Sequence, residues 1–308
     1  MTRIGLVVNP TAGRGRGGGA GAAAHGLLRA GGHDVVDLSG PSLAHATDRA
    51  RAGVLDGLDA LVVVGGDGMV HLGVNVVAGT GLPLGVVAAG TGNDIARTLG
   101  LPRGDVAAAV ARIERGLADG ARSIDAARVG PPGRPAQEWF VGVLSCGLDA
   151  AVNARANTLR RPRGHARYVR ALLAELRRFR PYGYRVTSDG AVWESAGSLV
   201  AVANVPWFGG GLQIAPDARP DDGLLDVVVA GPLGRAEVVR VFPGIYRGRH
   251  VHHPQVRIER ARHVLIEPMA ALGAAAPAAF ADGERIGPLP LQVEVVPGAL
   301  RVLAAGRA

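Results

Sequence analysis

Short runs of β-branched and aliphatic residues alternate with segments of helical period through the first 130 residues. Residues 4–8, 35–38, 61–64 and 84–87 predict strands, and residues 20–30, 43–55 and 69–78 predict helices between them. The last helix carries Val70, Val74 and Val77 on one face, at the i, i+4, i+7 spacing. The strands are apolar at nearly every position instead of at alternate ones. Such strands are buried on both faces, as in a parallel sheet covered by helices on each side.

The texture changes after Val129. Residues 130–135, Gly-Pro-Pro-Gly-Arg-Pro, read as a loop or linker. Beyond it strands come closer together, at 139–144, 184–187, 199–203, 224–229, 264–267 and 291–296, with one helical segment at 167–179. The pattern predicts an α/β nucleotide-binding domain over 1–129, then a mostly antiparallel β-sandwich domain over 130–296.

Composition narrows the chemistry. Of the 308 residues 48% are hydrophobic and only 4% aromatic, so the cores must be built from Val, Leu and Ala. The formal charge is +8, and all 34 basic residues are arginine. A chain without lysine has no Schiff-base lysine, no P-loop lysine and no protein-kinase-type lysine. Any phosphoryl transfer must then rely on backbone amides, carboxylates and a metal ion. The single cysteine, Cys146, leaves no disulfide within the chain, which suits a reducing compartment. No apolar run is long enough to span a bilayer or to act as a signal peptide, so the expected location is cytoplasmic, with any membrane contact peripheral.

Three glycine-rich loops each follow a predicted strand: Asn9-Pro10-Thr11-Ala12-Gly13, then Gly65-Gly66-Asp67-Gly68, then Gly90-Thr91-Gly92-Asn93-Asp94. In a parallel sheet all three fall at the carboxyl edge, where ligands bind. Glycine lets backbone amides approach phosphate oxygens, and the helix after the second loop adds its positive end. One such loop alone is as well read as a tight turn, whereas three in register are a stronger signal. The rival is a dinucleotide fold, but Gly13 to Gly18 matches its fingerprint only within a degenerate glycine run. The only acidic residue at the end of the second strand is Asp37.

These loops, together with Asp221-Asp222-Gly223-Leu224-Leu225-Asp226 and Asp282-Gly283-Glu284, resemble the diacylglycerol kinase catalytic family, which includes bacterial lipid kinases and, more distantly, sphingosine kinases. Order and spacing match across nearly the whole chain. The resemblance implies a nucleotide domain, a β-sandwich domain, an active site in the cleft between them, and a chain end, 297–308, that returns to the first domain. It implies that Asn9, Pro10, Thr11, Ala12, Gly13, Ser39, Gly65, Gly66, Asp67, Gly68, Met69, Val70, His71, Leu72, Thr91, Gly92, Asn93 and Asp94 line or adjoin the ATP site. Glu284 falls on the proposed catalytic base, with Asp67 the other candidate. Asp222 falls on a structural Mg2+ ligand beside the carbonyls of Arg219 and Leu224, and Asp94 and Asp125 fall on carboxylates of a water–metal network. The sequence departs from the family twice, with Met69 in place of Thr and Leu72 in place of Glu.

The expected activity is transfer of the ATP γ-phosphate to the hydroxyl of a membrane lipid, diacylglycerol first, giving phosphatidic acid. The alternatives are an NAD kinase-like enzyme, a sphingoid-base kinase, or a non-catalytic nucleotide- or lipid-binding protein. Residues 155–185 hold ten arginines and one acid, Glu175, beside an apolar stripe of Leu172, Leu173, Leu176 and Phe179. This segment reads either as a helix with a solvated charged face or as a dock for an anionic membrane. Low aromatic content and the lack of a reading motif argue against nucleic acid. A homodimer is among the assemblies to be tested.

Overall fold

The computed structural model describes residues 1–136, 138–159, 161 and 165–304. The chain forms two compact units, Met1–Ala126 with Val296–Ala308, and Ala127–Val295.

The first unit alternates strands and helices: β1 (Arg3–Val8), α1 (Ala12–Gly15), α2 (Gly17–Ala30), β2 (Asp34–Asp37), α3 (Leu43–Leu55), β3 (Ala60–Gly65), α4 (Asp67–Val77), β4 (Leu84–Ala88), α5 (Asp94–Thr98) and α6 (Val106–Asp119). The strands lie in the order β2-β1-β3-β4 and every pairing among them is parallel. Register aligns their carboxyl ends, with Val8 opposite Val64 and Gly65 opposite Ala88. Ile4, Val62 and Val64 pack with Leu28 of α2 and Ile113 of α6, so helices cover the sheet as its continuous apolar strands require.

Two boundaries differ from the sequence expectation. Helix α2 begins at Gly17, inside the glycine-arginine run that reads as loop. Gly17 and Gly21 are there for packing: a Cβ on Gly17 would lie 2.1 Å from the Asn9 carbonyl oxygen, and one on Gly21 2.5 Å from Val8. Helix α4 likewise begins at Asp67, with Gly66 as its N-cap, so half of Gly-Gly-Asp-Gly is first helical turn.

The second unit contains β5 (Arg122–Gly130, entering from the first unit), β6 (Glu138–Phe140), β7 (Val143–Gly147), α7 (Leu148–Thr158), α8 (His165–Arg178), β8 (Tyr182–Ser188), β9 (Ala191–Gly197), β10 (Leu199–Ala203), β11 (Trp207–Phe208), β12 (Leu212–Gln213), β13 (Leu225–Ala230), α9 (Arg235–Ile245), β14 (Val256–Ala261), β15 (His263–Pro268), β16 (Ala279–Ala281), β17 (Glu284–Gly287) and β18 (Leu291–Val302). One antiparallel sheet runs β14-β13-β10-β7-β16-β17, and β18, β15, β8 and β9 form a second antiparallel layer. Between them Val200, Val202 and Val227 meet Tyr184, Ile266 and Val293 in one core. This is a sandwich. Strand β18 runs on into the first unit, where Val302 pairs with Leu84.

Among the described residues this unit holds three α-helices where the sequence pattern shows one. The buried side of α7 is only Leu148, Val152 and Ala156, too thin a stripe to stand out. Helix α9 contains Pro243 and several valines, which read against a helix locally.

Candidate active site

In the first unit the three glycine loops are packed into one another. The Asn9 amide donates to the Val64 carbonyl at 3.0 Å, continuing the ladder past β1. The Asn9 side-chain oxygen then accepts from the Thr11 amide at 3.0 Å and its hydroxyl at 2.8 Å, folding the loop over the strand end. Gly13 has φ +57°, and a Cβ there would lie 2.2 Å from the Ala89 carbonyl oxygen. A Cβ on Gly90 would lie 2.3 Å from the Gly66 Cα. Backbone therefore touches backbone at both crossings, which only glycine permits.

The third loop is closed by Asn93, which sits in the left-handed region at φ 55°. Its carboxamide accepts from the Gly90 amide at 3.1 Å and donates to the Gly90 carbonyl at 3.0 Å. Thr91 is left exposed at the tip and Gly92 half-buried. Asp67 lies in the first turn of α4, where its Oδ1 accepts from the Ile95 amide of α5 at 3.3 Å. Asp94 is buried and pairs with Arg97 at 3.3 Å, and Asp125 accepts from the Gly298 amide at 2.8 Å. Met69, Val70, His71 and Leu72 are all buried. The Met69 side chain lies over Gly65, where a Cβ would meet its Cγ at 2.4 Å.

An open cavity of about 640 Å³ adjoins the first loop, lined by Pro10, Gly18, His25, Asp37 and Ser39 among others. The Ser39 hydroxyl oxygen accepts from the Val8 amide at 2.9 Å, which fixes it at the edge of β1.

Gly90→Ala is expected to cost about 1–3 kcal/mol, since the added methyl overpacks a backbone crossing, and to weaken nucleotide binding with it. Thermal unfolding and ADP titration read both effects. An unchanged melting temperature would mean that the two loops part easily.

In the second unit, Asp282 and Gly283 form the turn between β16 and β17, with φ 52° and 89°, the conformation Asp-Gly favours in tight hairpins. The Asp282 carboxylate accepts from the Val141 amide at 3.1 Å and the Gly142 amide at 2.9 Å, so it anchors the hairpin. Asn153 of α7 donates to the Gly283 carbonyl at 3.2 Å from another side. Glu284 follows as the first residue of β17, half-buried and paired with Ala281 through the main chain, while its carboxylate makes no hydrogen bond or ion pair to the described residues. A rigid turn that presents an unengaged carboxylate suits a proton acceptor. Asn153 has no sequence signal of its own, since only the packing of α7 brings it to the turn.

Residues 3–129 match the diacylglycerol kinase catalytic domain, and residues 142–304 the YegS C-terminal NAD kinase beta sandwich-like domain. A diacylglycerol kinase of Mycobacterium tuberculosis is 39% identical over 305 residues, 98% of this chain and 94% of the relative. This chain belongs to the diacylglycerol kinase family. A diacylglycerol kinase of Bacillus subtilis is 27% identical over 269 residues, 86% of each chain. Among solved structures, a diacylglycerol kinase of Bacillus anthracis has the same fold, with a TM-score of 0.74 at 24% identity over 99% of this chain and 97% of that one. Yeast NADH kinase shares the fold more distantly, with a TM-score of 0.54 at 11% identity over 99% of this chain and 84% of that one.

The family implies Mg2+, and the turn at Asp221–Asp226 can be tested for it. Asp222 Oδ1 accepts from the Leu224 amide at 3.1 Å, and its Oδ2 is paired with the Arg260 guanidinium. Asp226 is buried, its Oδ2 takes no hydrogen bond, and the Arg260 Nε stands 4.0 Å away. Burial pushes the Asp226 carboxyl up to about 6. Arg260 opposes that rise, and the charges of Asp222 and Asp217 add to it. Arg219 stands 3.7 Å from Asp221, so Asp217, Asp221, Asp222 and Asp226 face two arginines, and oxygen donors suit a hard cation. Among the described residues no group of three or more His, Cys, Asp or Glu side chains is placed to hold a metal. The ion would rest on Asp222 and the carbonyls of Arg219 and Leu224, sharing Asp222 with Arg260.

Saturating Mg2+ is therefore expected to raise the melting temperature by roughly 3–8 °C. Asp222→Ala should remove that increment. A melting curve indifferent to chelator in the native protein would exclude the site.

Proposed function

We propose that this chain is an ATP-dependent lipid kinase that transfers the γ-phosphate of Mg-ATP to the free hydroxyl of a membrane lipid, with diacylglycerol the acceptor and phosphatidic acid the product. The observation that carries the reading is the meeting of three glycine loops at one sheet edge, in a chain 39% identical over 98% of its length to a protein named diacylglycerol kinase. Phosphoryl transfer needs positioning and charge neutralisation more than covalent help. With no lysine in the chain, the loop amides, the positive end of α4 and any arginine within reach are left to meet the polyphosphate. Mg2+ bound with the nucleotide supplies the remaining charge neutralisation.

Glu284 takes the proton. As the lipid oxygen bonds to the γ-phosphorus, the bond from that phosphorus to the bridging oxygen breaks. ADP departs with the bonding electrons, and the hydroxyl proton passes to the Glu284 carboxylate. Met69 and Leu72 suit their packed positions, where a buried hydroxyl or carboxylate would need its own partner.

The deciding assay supplies γ-labelled ATP with diacylglycerol micelles, a sphingoid base, NAD+, or no acceptor. Label in phosphatidic acid supports the reading. Label in the sphingoid base or in NADP+ replaces the acceptor, and no transfer at all leaves a binding protein.

The lipid must be met at a membrane, and no helix of the described residues is long and apolar enough to cross one. Helix α8 supports a surface encounter. Leu172, Leu176 and Phe179 of the expected stripe pack inward with Val152 and Leu233. Val169 and Leu173 instead face out, 42% and 57% exposed, and Arg177, Arg178 and Arg180 lie exposed at the helix end. Arg160 and Arg163 of the same basic segment lie outside the described residues. At about 1 kcal/mol per arginine, changing Arg177, Arg178 and Arg180 to Gln should weaken binding to anionic vesicles by roughly 10²-fold and spare turnover of a short-chain, soluble diacylglycerol. Equal loss on both substrates would place these arginines in the site or the fold. Unchanged vesicle binding would make them a solvated face.

A further inference from the structure

Asp37 closes β2 at the carboxyl edge of the parallel sheet and is among the residues that line the 640 Å³ cavity beside the first glycine loop. We propose that this cavity seats the nucleoside part of the bound nucleotide and that Asp37 accepts hydrogen bonds from the ribose hydroxyls, making the protein select ribonucleotides over deoxyribonucleotides. The inference rests on the nucleotide reading above and adds a specificity residue to it.

Three observations carry it. The first is place. Pro10 belongs both to the cavity wall and to the first glycine loop, so a ligand whose phosphates lie at the loops extends into the cavity with its sugar and base. In dinucleotide-binding α/β sheets an acidic residue at the end of the second strand accepts from the ribose hydroxyls, and Asp37 holds the corresponding place in this sheet. The second is rigidity. Asp37 Oδ1 accepts from the Ser39 amide at 2.8 Å, and Arg49 of α3 donates to the main-chain oxygens of Asp37, at 2.7 Å, and Ser39. The Ser39 amide and hydroxyl thereby hold the carboxylate in the turn, and no residue from another element bonds it among the described residues. The third is charge. Partial burial works to raise this carboxyl, but the Ser39 hydrogen bonds, Arg49 and His25 outweigh it and hold the group below its ordinary value. An ionised carboxylate accepts and cannot donate, and it repels phosphate, so it suits the donor-bearing nucleoside end of the ligand and not the phosphates. Across the cavity, α2 presents Gly18, Gly21 and Ala22, which leave room for a ring system. The volume lies within the range of small-molecule sites.

The test is calorimetric titration of the full chain, in Mg2+, with ADP, 2′-deoxy-ADP and 3′-deoxy-ADP. The native protein should bind ADP roughly 10-fold or more tightly than at least one deoxy analogue, as expected for a lost hydrogen bond to a charged group. Asp37→Ala should bring the three ligands to within about 3-fold of one another. Asp37→Asn keeps Oδ1 for the Ser39 amide, so it should melt like the native protein and discriminate less well. Equal affinity of the native protein for all three ligands overturns the inference and leaves the nucleotide reading standing. Discrimination that survives in Asp37→Asn and Asp37→Ala overturns it too. No binding of ADP by the native protein removes the nucleotide reading and this inference together.

Discussion

Replacing Asp67 with alanine is expected to lower lipid phosphorylation by on the order of 10³-fold, the scale seen when a preorganised group that manages transition-state charge is lost. Asp67 sits in the first turn of α4, directly after the Gly66 crossing with Gly90. On the proposed function, a carboxylate there, beside loops that would receive a polyphosphate, would oppose binding by repulsion unless Mg2+ came with the nucleotide and took it as an anionic partner. The complication is structural, since Oδ1 also accepts from the Ile95 amide and ties α4 to α5. Asp67→Asn separates the two roles: it retains an acceptor for Ile95 and removes the charge. Both variants should lose turnover, whereas only Asp67→Ala should also lower the melting temperature. Full activity with unaltered Mg2+ dependence in either variant would remove Asp67 from the reaction.

Glu284→Gln is expected to reduce kcat by about 10²-fold or more, as for loss of a positioned general base, while the KM for ATP stays within about 2-fold of the native value, as when an interaction made only in the transition state is removed. Gln is nearly isosteric, and the Glu284 carboxylate makes no hydrogen bond or ion pair to the described residues, so the variant should melt at the native temperature. The turn that presents it is held by Asp282 on the Val141 and Gly142 amides and by Asn153 on the Gly283 carbonyl. A kcat close to native would hand the proton to Asp67 or to water. A large rise in KM for ATP with kcat preserved would make Glu284 a binding residue.

The sequence by itself determined the fold class. Continuous apolar strands alternating with helical periods up to residue 88 admit a parallel sheet covered on both faces, and the denser strands after Val129 admit a sandwich. It also determined which loops stand together, because loops that follow successive parallel strands must emerge at the same edge, and the Asp-Gly turn before Glu284 is legible as a dipeptide.

Only the tertiary structure decided what the glycines are for. Gly13 against Ala89, Gly17 against Asn9 and Gly90 against Gly66 are contacts between segments up to 76 residues apart for the first pair, and no local pattern marks which glycine faces another backbone. For the same reason α2 and α4 start earlier than their apolar stripes suggest. The tertiary structure alone places Asn153 at the Glu284 turn, splits the apolar positions of α8 between core and solvent, and buries Asp226 beside Arg260. Period and turn chemistry are properties of a few neighbouring residues and are written locally. Close approach and burial depend on what the rest of the chain brings to the same point.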